Sequence, residues 1–258
     1  IEITLAPPAA RGRTPLQEAW GRLIANPVAR GGLVVVVLFT LLAVLTPLLH
    51  LYRPEVDSDL LIRLQPPTWE HPFGTDTLGR DILVRVLHGA RVSLGLGLGS
   101  VAVAAVAGTL LGLLAGYAGR WVDLSLMFCM DILLAFPATL LAIAIVAMIG
   151  PGLRNSLIAI SLVSIPFYAR IARGAVLSLK EQEFVGAAEG LGGSHLRVLF
   201  RHIFPNTLPP LMVQTTLGIA FAVLEAAALG FLGLGAQPPT PEWGAMLGEG
   251  RQYIFRAP

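Results

Sequence analysis

Five blocks of apolar residues, each long enough to cross a bilayer, constrain this chain more than any other feature. A crossing helix needs roughly 20 apolar residues. The blocks run Gly31–Leu51, Ser93–Tyr117, Leu124–Ile149, Ser156–Val176 and Leu208–Leu232. None shows the alternation of a barrel strand, and only helices and closed barrels satisfy every backbone group in hydrocarbon. The expected fold class is all-α, a polytopic transmembrane helical bundle with five visible spans. Composition agrees: 13% of the residues are charged, against about a quarter in a soluble domain. A net charge of +2 suits membrane loops better than a nucleic-acid surface. Cys129 is the one cysteine, so no internal disulfide forms. No cleavable signal peptide is expected, because the first apolar block follows a polar arm and lacks a small-residue cleavage site.

Arginine and lysine set the orientation. The arm over residues 1–30 carries Arg11, Arg13, Arg22 and Arg30 and is assigned to the cytoplasm. Residues 31–51 form the first span, 52–91 an external loop, and 92–258 the main transmembrane domain. Counting crossings then puts 177–207 inside, where Lys180, Arg197 and Arg201 agree. The 52–91 loop holds five arginines offset by six acids, a mild conflict weakened by its length. Five crossings from a cytoplasmic start leave the C-terminus outside, so a sixth helix is expected to follow Pro258. The start at Ile1 rather than Met likewise suggests trimmed residues.

Within the blocks, Gly108, Gly112 and Gly116 repeat at the spacing that lets helices approach closely in lipid. Packing inside the subunit is the plainer reading and a subunit interface the sharper one. Pro137 and Pro166 lie mid-block and are expected to kink their helices. Gly95 to Gly99, reading GLGLG, falls inside a span and is packing, not a phosphate loop.

The stretch from Leu177 to Pro210 carries the functional signal. Lys180–Leu191 reads as a helix with Glu181 and Glu183 in its first turn and a Gly192-Gly193 stop. Phe184, Ala187, Ala188 and Leu191 give it a narrow apolar face. Ser194–Phe204 reads as a second amphipathic helix, capped by Ser194 and ended by Pro205 and Asn206. Two such helices suit docking into a groove on a cytoplasmic partner; interfacial helices lying on lipid head groups are the alternative.

VGAAEGLG from Val185 to Gly192, followed by HIFPN from His202 to Asn206, resembles the EAA loop of bacterial ABC-importer permeases. Ala187, Ala188, Gly192 and Pro205 stand in register, Gly186 replaces the glutamate, and Ile203 and Phe204 stand near the Ile-x-Leu pair. HPFGTDTLGRD from His71 to Asp81 looks like the HxxGTDxxGRD segment of the C-type subunit of dipeptide, oligopeptide and nickel permeases. DILLAFP from Asp131, EAAALGFLGLG from Glu225 and PEWGAM from Pro241 are similar to further signatures of that subunit. The resemblance implies a type I ABC permease that binds no cofactor itself. It pairs with a second, homologous permease and with two cytoplasmic ATPases that hold ATP and Mg. An extracytoplasmic solute-binding protein delivers the solute. It also implies ATPase coupling through Phe184, Gly186, Ala187, Ala188, Glu189, Gly192, Arg197 and Pro205.

Other residues have competing readings. Asp131 is expected about 10 Å into its span at 1.5 Å per residue, either on the translocation path or paired with Arg120 or Arg170. Glu225, nearer mid-membrane, lines that path or makes a helix-to-helix hydrogen bond. Asp76, Arg80 and Asp81 form a local turn with ion pairs, or with Trp243 an external gate or binding-protein contact. Trp69 and Trp243 fit an outer aromatic belt. His50, His71 and His88 lack compact metal-ligand spacing, so no metal site is expected. No catalytic motif is visible, and the chain reads as a non-enzymatic subunit. An ion-coupled carrier with Asp131 and Glu225 as its relay is the competing class.

Overall fold

The computed structural model describes residues 15–46 and 58–255. These residues are helical apart from turns, with one isolated antiparallel bridge between Thr75 and Asp81. α1 (Pro15–Ala25) leads into α2 (Pro27–Leu45), where Pro27 opens the helix and the Asn26 side chain accepts from the amides of Val28 and Ala29. A 3₁₀ turn (Leu60–Ile62) and the 63–81 loop precede α3 (Ile82–Ala118). Next come α4 (Arg120–Leu134), α5 (Ala138–Ile149), α6 (Leu153–Lys180) and the short α7 (Glu183–Gly190). α8 (His195–Phe231) is one long helix with a π-helical turn over Val198–Ile203. α9 (Trp243–Gly250) closes the described chain with a 3₁₀ turn.

α3 and α6 form the centre of the bundle, and their glycines explain how. A Cβ on Gly108 would lie 2.6 Å from the Ile165 carbonyl oxygen, and one on Gly116 2.8 Å from Val176 Cβ, while Gly112 abuts Ala169 and Ala172. The repeated glycines therefore serve packing inside the subunit. Contact positions rise together along both helices, so α3 and α6 run parallel. α8 runs the opposite way: Gly97 on α3 abuts Val223, and the Tyr168 hydroxyl lies over Gly218.

A parallel pair fixes the path between its members. α3 ends at the end of the bundle that carries α7, and α6 begins at the end that carries α9. The intervening α4 and α5 must therefore return the chain across. They do so as a broken span, bent by 90°. Pro137 does not kink a continuous helix here, as expected, but stands as the N-cap of α5. Proline disfavours helical backbone in the residue before it and supplies no N–H, so the helix stops and restarts. α6, by contrast, runs unbroken through buried Pro166.

Among the described residues four helices are long and apolar enough to span a bilayer, five if the bent pair is counted as one span. Their bounds differ from the apolar blocks because helix does not stop where hydropathy falls. α3 extends from Ile82, capped by the Asp81 side chain on the Val84 amide. α6 continues to Lys180, whose Nζ donates to the Tyr117 carbonyl at the C-terminus of α3, a favoured place for a cation. The first block ends in residues 47–51, which lie outside the described residues, as do His50, residues 1–14 and the last three. The main core joins Leu96, Val101, Ala142, Val146, Ile160, Tyr168 and Leu229. A smaller core at the α7 end joins Leu113, Val176, Val185, Val198, Leu199 and Ile203.

Candidate functional site

The 181–203 region is fixed to the bundle by few residues and presents the rest. Val185 is 1% exposed and plugs α7 into the small core. Burying such a side chain stabilises by about 1.5–3 kcal/mol. Phe184, Ala187, Glu189 and Gly186 are exposed, Ala188 is half-buried, and Leu191 is 90% exposed. Of the apolar face expected on this helix, Phe184, Ala187 and Leu191 turn away from the subunit, while Ala188 packs with Val185 against the small core. Gly192, at φ +81°, reverses the chain, and the Gly193 amide donates to the Ala188 carbonyl at 3.0 Å. A Cβ on Gly193 would sit 2.7 Å from that carbonyl oxygen.

Beyond the reversal, the expected second short helix is instead the first part of α8. Ser194 stands at its start, but its side chain makes no capping bond. Pro205 and Asn206 do not end it. The π-helical turn immediately before Pro205 changes the hydrogen-bond register, so the missing proline N–H falls at a junction. Leu199 and Ile203 face the small core, whereas Leu196 is 71% exposed, Phe200 is 50% exposed and Arg197 is exposed. The α7 end is pinned further by the Tyr117 hydroxyl, 2.9 Å from His195 Nδ1.

Asp131 lies in the last turn of α4, close to the 90° break. Arg170 donates to it at 2.5 Å, with the two side chains 52% and 58% exposed. Of the two arginines considered, Arg170 is its partner. One turn further along α6, Arg173 grips Asp123 through Nε and Nη2. Glu225 belongs to a different place, the half of the bundle toward α9, where its Oε1 accepts from Thr139 Oγ1 at 2.8 Å. The break at Pro137 delivers Thr139 there. A relay joining Asp131 to Glu225 is not assembled.

At the α9 end the GTDTLGRD turn is stitched internally. Asp76 accepts from the amides of Leu78 and Arg80 and from Arg80 Nε at 2.7 Å. Arg85 donates to Asp76 at 2.6 Å and to Glu249 at 3.0 Å. Both arginines are 4% exposed. Burial pushes the Asp76 carboxyl up, but the amides and guanidinium of Arg80 and the Leu78 amide outweigh it and hold the group below its ordinary value. Asp81 caps α3 and meets His71 Nδ1 at 2.9 Å. Gly74 and Gly79 adopt positive φ, with Gly79 abutting the Asp59 backbone, so the motif's glycines are conformational requirements. Arg85 and Glu249 escaped the sequence reading, although Arg85 stands one turn beyond Asp81 on the same helix.

Glu242 escaped it too, as one letter of PEWGAM. It is fully buried, caps α9 through the amides of Gly244 and Ala245 at 2.9 Å each, and accepts from Ser93 Oγ at 3.1 Å. Trp243 beside it packs inward: its indole donates to the Val86 carbonyl at 3.0 Å and meets Phe39 edge-on at 5.7 Å. Trp69 is wholly exposed.

The described residues thus form a helical bundle with a broken span, a parallel central pair and a protruding helical loop. The fold is similar to that of the MetNI methionine ABC transporter in inward-facing form, with a TM-score of 0.56 at 20% identity over 67% of this chain and 82% of that one. Residues 108–255 match the model for the binding-protein-dependent transport system inner membrane component, and 14–67 that for the N-terminal TM domain of oligopeptide transport permease C. The chain belongs to the family of binding-protein-dependent transport system inner membrane components. It is 51% identical to the dipeptide transport system permease protein DppC of Alkalihalophilus pseudofirmus, over 95% of this chain and 80% of that one. It is 45% identical to the glutathione transport system permease protein GsiD of Escherichia coli, over 95% and 81% respectively.

Proposed function

We propose that the chain is the non-catalytic permease subunit of an ATP-driven importer for peptides or a related small solute. The observation that carries this reading is the outward apolar surface of Phe184, Ala187, Leu191 and Leu196 on a loop fixed by its own small core. Such a surface is costly in water and suits a groove on a partner. The partner is one of two cytoplasmic ATPases that bind ATP and Mg, with Glu189, Gly192, Arg197 and Pro205 shaping the contact. Because α7 packs on α3, α6 and α8 together, movement of the loop is transmitted to the central helices as one body. The N-terminal arm lies in the cytoplasm, and a second, homologous permease completes the membrane core.

Outside, a solute-binding protein docks over the 58–81 turn and α9. Asp76, Arg80, Asp81 and Trp243 stiffen this platform, and their bonds to neighbouring residues of the chain give them a positioning role rather than direct contact with the docked protein. Solute then passes along the face of α8 that bears Glu225. The test is uptake of a dipeptide into proteoliposomes holding the complete transporter and its binding protein. Uptake should require ATP inside and the ATPase subunits. Uptake driven by an ion gradient without them would establish the carrier instead.

A further inference from the structure

Between α3, α5, α6 and α8, in the half of the bundle toward α9, lies a cavity of about 370 Å³. That volume is within the range of small-molecule sites, roughly 300–1,000 Å³. Val101, Ile160 and Phe221 make its wall apolar, and Ser164 and Gln214 add neutral polar groups. Glu225 is its carboxyl, and no cation lines it among the described residues. Arg170 and Arg173, on the same α6, are taken by Asp131 and Asp123.

A packing role would account for half of this carboxyl. Oε1 is satisfied by Thr139, whereas Oε2 is buried with no hydrogen-bond partner. A buried acceptor left without a donor carries its desolvation penalty uncompensated, more so when charged. The arrangement is complementary to a group that brings both N–H donors and positive charge. A compact ammonium fits; a divalent ion would demand six or more oxygens, which these walls do not offer.

We propose that this cavity is a transit subsite in which the Glu225 carboxylate, through Oε2, receives the free α-ammonium of a peptide-sized solute. The inference rests on the peptide-importer reading. The apolar wall accepts the side chains, and a solute lacking the ammonium leaves the carboxylate unpaired. Discrimination therefore arises inside the membrane domain as well as at the delivering protein.

The test uses the complete transporter in proteoliposomes, with Cys129→Ser to remove the native thiol and Ala222→Cys to place one on the cavity wall. Its labelling by a membrane-permeant maleimide is timed with Ala-Ala, with N-acetyl-Ala-Ala, or with neither. Ala-Ala should slow labelling at least about tenfold more than its acetylated form, as expected for one charge-assisted hydrogen bond. Glu225→Gln should erase that difference. Equal protection by both peptides, protection by neither, or an unchanged difference in Glu225→Gln would overturn the subsite. Dipeptide uptake by the Cys129→Ser complex is read alongside: if it is absent, the importer reading fails instead.

Discussion

At the α9 end, charged side chains are buried and answered: Arg80 and Arg85 at 4% exposure share Asp76 and Glu249, and fully buried Glu242 is capped from three donors. At the α7 end the arrangement is inverted, with Leu191 at 90% and Leu196 at 71% exposure on a loop anchored by Val185. One end answers most of its buried charge from within, with Arg85 Nε alone of that network left without a partner, and forms a self-contained platform. The other leaves apolar surface unanswered, the surface proposed above to receive a partner. The contrast suggests a division of labour, with delivery received on a stiff surface and energy received through a plug.

Variants separate the two ends, and the largest effects are expected at the α7 end. Leu191→Asp changes a side chain the fold does not bury, so membrane insertion should be normal while binding-protein-stimulated ATPase activity is abolished. Gly192→Trp, at a positive-φ position, should do the same; normal stimulation in both would remove the docking argument. Next comes Arg85→Ala, which strips a buried cation from two acids. Breaking such a network costs about 3–5 kcal/mol, read as a lowered Tm of the purified complex. A loss below about 1 kcal/mol would mean the α9 end is not held as described.

The same network gives a pH dependence. The folded Asp76 carboxyl titrates below the unfolded one, which titrates near about 3.9. Its stabilisation is whole above about pH 4 and is lost as pH falls through the folded value. Asp76→Asn should flatten the acid limb of the Tm profile; an unchanged limb would contradict the assignment. Gly112→Ala should cost about 1–3 kcal/mol by overpacking α3 on α6. Gly95→Ala, where a Cβ meets nothing within 4 Å, should be neutral or gain up to about 1 kcal/mol from helix propensity. The smallest effect is expected for Asp131→Asn, because an exposed pair is worth about 0–1 kcal/mol.

Much of this was legible in the sequence because the signals are local. Apolar blocks need no tertiary context, and the GTDTLGRD turn is written in its own glycines and caps. What was not legible depended on phase and on distant partners. The repeat of Phe184, Ala187 and Leu191 marks a helical face but does not say which face is buried, and Val185 decided that through residues far away in sequence. Hydropathy does not reset at Pro137, so the 90° break was read as a kink. Pro205 looked terminal because the π-helical turn leaves no mark in composition. Thr139, Arg85, Glu249 and Glu242 acquire their roles from partners on other helices.

The central claim is that the α7 end is completed by an ATPase. Its most direct test is co-purification of the tagged subunit, expressed with its native neighbours, in mild detergent, comparing the parent with Leu191→Asp. The account predicts that the parent brings down a second permease and an ATPase, and that Leu191→Asp keeps the permease but loses the ATPase. Retention of the ATPase by Leu191→Asp, or a parent that purifies alone and transports under an ion gradient, would contradict it.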